Sequence, residues 1–194
     1  MFINHPLEQI TQQKGNKVDG GGSVVGRDQH NHYYASQGVS RELLDLYERL
    51  KKDGVGECST EFCEKLNHYM THQTETDVRG LDAKLRDSNR NDLLIAAQMM
   101  KEQATKAILR RQTSKTAQRI FVLILDRIYF DFIMKVTPLI QSDNDRVIVD
   151  DKISQIIDAL YSTLGENLLE LTAIDLLGLL FFLGGNCHIR WDKC

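Results

Sequence analysis

From about Ser40 onward, hydrophobic residues recur at the three- and four-residue spacing of amphipathic helices, a spacing absent before that point. Leu43, Leu46, Tyr47 and Leu50 form one face of a first helix, which Ser40 can cap and which ends near Gly54. Phe62, Leu66 and Tyr69 align in a second helix from about Thr60. Leu81 and Leu85 mark a short third, ahead of the polar break Asp87-Ser88-Asn89-Arg90-Asn91. With Asn91 as its cap, a long fourth helix carries Leu93, Ala97, Met100, Ala104 and Ala107, a narrow stripe whose small side chains permit close packing. Glu102, Lys106 and Arg110 are spaced for pairing on its outer side.

Ser114 to about Ile140 is the longest apolar segment and reads as the central helix, running from Ile120, Phe121 and Val122 through Phe130, Phe132, Ile133 and Met134. Arg127, Asp131 and Lys135, four apart, supply a thin polar edge that this spacing places toward water. Pro138 ends or kinks the helix, and Ser142-Asp143-Asn144-Asp145 is a loop. A further helix from about Asp151 carries Ile153, Ile156, Ile157, Leu160 and Leu164 and stops at Gly165.

The last helix is the most particular. Thr172 and Asp175 form a capping box, and Leu176, Leu177, Leu179, Leu180, Phe181, Phe182 and Leu183 then cover every side, so the helix must be enclosed. Gly184 suits a left-handed closing residue and Gly185 a reversal. The alternation from Asn186 to Trp191 predicts a short extended segment laid back on that helix. The expected fold is all-α, a bundle of about seven helices over residues 40–194.

Residues 1–39 are an arm with a different composition. Pro6, Gly15 and Gly20-Gly21-Gly22 oppose a continuous helix. Val24 and Val25, a turn at Gly26-Arg27-Asp28, and Tyr33 and Tyr34 suit a short β-hairpin. Two readings stand side by side: a tail without fixed structure, and an assembly element that adds to a neighbouring chain.

Composition narrows the function classes. The net charge of −3 opposes a histone-like electrostatic binder, so nucleic acid is not the expected partner. Cys58, Cys63, Cys187 and Cys194 are irregularly placed, and Met1-Phe2-Ile3-Asn4 has no secretory character, which together suggest the cytoplasm.

Little here points to chemistry. Cys187-His188 is half a zinc site, but Cys58, Cys63, His68 and His72 complete it poorly, since both histidines lie nearly opposite Leu66. Neighbours on an extended segment also face apart, which opposes a Cys-His nucleophilic pair. Nucleophile-elbow, phosphate-loop and paired-carboxylate motifs are missing, so the expectation is no catalytic residue, no metal and no cofactor. Lys101, Arg111 and Lys115 lie in a basic stretch and could meet phosphates of nucleic acid or anionic lipid, against the plainer reading of a solvated helix end.

The run Phe181-Phe182-Leu183-Gly184-Gly185-Asn186-Cys187-His188-Ile189-Arg190-Trp191 resembles the ending of the C-terminal domain in proteins of bacterial ABC-three-component antiphage defence systems. The resemblance extends back through the helices to about Ser40, and Gly185, Asn186, Cys187, His188 and Trp191 carry it, with a structural role expected for them. In that family the domain usually follows an effector such as a nuclease or protease. The resemblance implies a non-enzymatic defence protein that recognises a phage-derived or defence-system protein and assembles into a homo-oligomer, without an effector on this chain. Two other readings remain: a membrane-disrupting effector that refolds Ile120–Ile140 or Leu176–Leu183, and an accessory subunit docking on a separately encoded ATPase or nuclease.

Overall fold

A computed structural model describes residues 40–52, 63–72 and 79–192. The arm residues Val24, Val25, Gly26, Arg27, Asp28, Tyr33 and Tyr34, the start of a helix at Thr60, and Cys58 and Cys194 lie outside the described residues.

Every regular element among the described residues is helical: α1 (Arg41–Lys52), α2 (Glu64–Met70), α3 (Leu81–Asp87), α4 (Leu94–Arg110), α5 (Lys115–Asp131), α6 (Thr137–Gln141), α7 (Arg146–Thr163) and α8 (Ala173–Gly185). A π-turn at Phe132–Val136 joins α5 to α6 without a break, so these residues form one rod. Thr137 N–H bonds to the Phe132 carbonyl five residues back. Immediately afterwards Pro138 has no N–H to offer, and the widened turn carries the helix past it.

Several starts and stops follow the sequence. Ser40 Oγ accepts Leu43 N–H at 3.1 Å, Ser114 Oγ accepts Ala117 N–H at 3.1 Å, and Gly165 is left-handed with φ 60° just beyond α7. The Thr172–Asp175 capping box is present in full. Asn91, however, does not cap α4: residues Asn91–Leu93 form a 3-10 turn and the helix starts after it. The helix expected from Asp151 begins one turn earlier, at Arg146.

At the centre lies α8, enclosed almost all round from Leu176 to Gly185. Its closest neighbour is α4, and α3, α5 and α7 also pack on it. The small-residue stripe explains the α4 contact. Ala97 and Ala104 are buried, and a Cβ on Gly178 would stand 2.6 Å from the Met100 carbonyl oxygen, so the two backbones nearly touch. Glu102 and Lys106 pair on the outside at 2.6 Å.

The rod departs from expectation in two ways. Asp131 does not face water but is 3% exposed, held between Arg127 (2.7 Å) and Lys135 (2.9 Å), whose own side chains are about half exposed. Asp131 and Arg127 line a cavity together with Leu43 of α1 and Leu160 and Thr163 of α7. Conversely Phe130, Ile133 and Met134, expected in the core, are exposed, while Phe132 and Val136 are buried. The π-turn shifts the helical register by about one residue, and counting at 3.6 per turn misplaces the side chains around it.

Candidate functional site

The Gly184-to-Asp192 tail is a set of caps. The helix continues through both glycines, and the left-handed residue expected at Gly184 is Cys187 (φ 65°). His188 N–H bonds to the Leu183 carbonyl at 2.9 Å and Cys187 N–H to the Gly184 carbonyl at 3.3 Å, the paired pattern that closes a helix in a Schellman turn. Residues 186–190 are therefore a turn and loop, not an extended segment. The glycines serve close approach instead. A Cβ on Gly184 would lie 2.5 Å from the Trp191 ring, and one on Gly185 would lie 2.5 Å from Lys101 Nζ.

Two helix ends left with unpaired carbonyls meet here. Buried Lys84 of α3 donates to the Gly184 carbonyl at 2.7 Å and to that of Ile189 at 3.3 Å, placing a cation at the negative end of α8. Burial pushes its pKa down, with the Cys187 thiol and Asp192 opposing. Asn186 Nδ2 (2.8 Å) and His188 Nε2 (3.2 Å) both donate to the Tyr69 carbonyl in the last turn of α2. The His188 ring packs against those of Tyr69 and His68 at 5.1 and 5.2 Å, and burial lowers its pKa below the usual 6.5. The Cys187 thiol donates to the Arg79 carbonyl at 3.7 Å. Asp192 is clasped by Arg79 and Arg190; burial works to raise its pKa, but these bonds outweigh it and hold the value down. Trp191, 3% exposed, meets Phe132 edge-on at 5.7 Å and Phe181 at the same separation.

The other face of Trp191's surroundings is open. A cavity of about 410 Å³ lies between α4 and α7 over α8, within the size range of ligand pockets. Ala96, Ala97 and Met100 form one wall, Ile153 and Ile157 the other, and Leu177, Leu180, Phe181 and Trp191 the floor, with Ile174 at the edge, 60% exposed. At one end Asp150 is shared by Arg90 (2.7 Å) and Arg146 (3.0 Å), and Arg146 also pairs with Asp92 at 2.7 Å, so this polar end is internally neutralised. Along α7, Ser154 and Asp158 are exposed, and Asp158 has no ion pair with any described residue.

The model of one family, C-terminal domain 9 of the ABC-three component (ABC-3C) systems, matches residues 80–191, more than half of the chain. The chain belongs to this family. The match places it in the ABC-3C antiphage defence systems, which have several components. No curated protein and no solved structure matches the chain.

The C-terminal domain 9 stretch begins at Gly80, so α3 to α8, the whole groove, and Lys84 and the tail from Gly184 to Trp191 fall inside it, while α1, α2 with the Tyr69 carbonyl, and Arg79 precede it. Of the residues singled out in sequence, Gly185, Asn186, Cys187, His188 and Trp191 come together in the tail. Lys101, Arg111 and Lys115 do not converge. Lys101 lies over Gly185, and Arg111 is ten residues on, about 15 Å along the helix axis. Lys115 sits on α5 beside Arg49 and Arg119, facing Glu42 and Asp45. Among the described residues no group of three or more histidines, cysteines or acids is placed to hold a metal. Lys84 was legible but overlooked: it falls between Leu81 and Leu85 on the buried face of α3. The groove's walls and floor are aliphatic and aromatic positions that read as ordinary core, and of its charged residues Arg90 lies 60 positions from Asp150 in sequence.

Proposed function

We propose that this C-terminal domain 9 protein is a non-enzymatic recognition component of an antiphage system, which binds a phage-derived protein and self-assembles. The observation that supports this reading most is the division of labour around Trp191. Beneath it the polar motif residues are occupied with helix ends, while above it an open apolar groove offers area for binding but no constellation of polar groups for catalysis. Among the described residues no helix is long and apolar enough to cross a membrane.

The experiment compares cells carrying wild-type protein with cells carrying Ala96→Trp, which fills the groove from α4. Wild type should retain a phage-derived protein on purification from infected cells and reduce plaquing. A variant that melts like wild type should lose both. Full protection with the groove filled would overturn the reading. Light scattering with and without residues 1–39 tests self-assembly, and a monomer under all conditions, phage lysate included, removes that part.

A further inference from the structure

We propose that the groove between α4 and α7 receives an amphipathic helix of a partner protein, bearing bulky aliphatic side chains inward and a lysine or arginine where it passes Asp158. This rests on the recognition reading above and specifies the chemistry of the partner.

Three observations select such an occupant. The first is backbone satisfaction. Both walls and most of the floor are helices, whose backbone groups are bonded within themselves, so the groove has no strand edge to pair with an extended peptide. An extended segment would lay unpaired N–H and C=O groups on an apolar floor, whereas a helix brings its own bonds already made. The second is dimension. Along α7 the lining runs from Arg146 to Asp158, about 18 Å at the helical rise, enough for roughly three turns of a docked helix. Both α4 and α7 pack on α8 but not extensively on each other, which leaves a stripe of α8 exposed between them through Ile174 and Leu177.

The third is charge. Arg90 and Arg146 are committed to Asp150 and Asp92, so that end recruits no anion. Asp158 is the lining charge left without an ion pair among the described residues, and its position on an exposed wall suits a cation arriving with the ligand.

Trp191 is the single tryptophan of the chain and lies on the groove floor, so its emission reports occupancy directly. The probes are two tryptophan-free helical peptides of about 18 residues, long enough to hold helix in water. They share a leucine face at i, i+4 and i+7 and differ in one flanking residue, lysine or glutamate. The full chain should bind the lysine peptide saturably with a shift in Trp191 emission, and the glutamate peptide about fivefold more weakly. Asp158→Lys should reverse that order while melting like wild type. The inference is overturned if neither peptide shifts the emission, if the order is unchanged in Asp158→Lys, or if only a small apolar probe such as 1-anilinonaphthalene-8-sulfonate is taken up. Silent peptides together with loss of the phage protein when Ala96→Trp fills the groove would leave recognition standing and remove the helix.

Discussion

The tail cluster and the groove share Trp191 and little else. In the cluster the motif side chains have backbone groups to serve: Lys84 closes α8, and Asn186 and His188 close α2. In the groove the lining is mainly aliphatic surface, and its rim carries a carboxylate without an ion pair among the described residues. Residues that look most like chemistry in the sequence are therefore the most fully engaged internally. Capacity for a ligand lies where the sequence looks plainest.

The largest test removes the shared residue. Trp191→Ala should lower unfolding free energy by about 3–5 kcal/mol in urea titrations, because it opens a void against Phe132, Phe181 and Gly184. A near-neutral result would show that the two regions do not depend on one another. Gly178→Ala probes the α4–α8 contact under the groove. Its Cβ would meet backbone at 2.6 Å, so a loss of about 1–3 kcal/mol is expected, with the groove distorted as α4 moves away.

A milder test concerns protons. His188 has its pKa depressed by burial, so the native state resists protonation while the unfolded chain takes a proton near the usual 6.5. Its contribution to stability is intact above that value and is lost as pH falls through 6.5 toward the depressed native pKa. The bond to the Tyr69 carbonyl opposes this depression, and the neighbouring His68, Lys84 and His72 add to it. Melting temperature should fall between pH 7.5 and 5.5, about the window of histidine titration, and His188→Asn should flatten that slope. Smallest of all, Asp158→Lys should change stability by no more than about 0.5 kcal/mol, since the side chain is exposed and has no ion pair among the described residues. A large loss there would mean that the rim is structural and would blur the contrast with the tail.

Local signals were readable where a single stretch decides the outcome. Ser40, the Thr172–Asp175 box and Gly165 mark helix ends through their own backbone neighbours, and the alanine stripe of α4 foretells close packing. Reading failed where the deciding partner is distant. Gly184 and Gly185 look like a turn until Trp191 and Lys101 are seen lying on them, and Asp131 looks solvated until its burial beside a cavity shared with α1 and α7 is seen. The groove was unreadable for the same reason. Periodicity shows that Ile153, Ile157 and Leu177 face inward, but not that α4 and α7 leave space between them.

The bond from Asn186 to the Tyr69 carbonyl spans 117 positions of sequence. During synthesis α2 emerges long before the residues that finish its end, and Lys84 likewise waits for Gly184 and Ile189. A chain interrupted anywhere before Asn186 thus keeps an open helix end and an amine with no acceptor, however well its earlier helices have formed. Both helix ends are therefore closed only by the last residues of the domain, so their closure is a property of the finished fold and not of the helices alone.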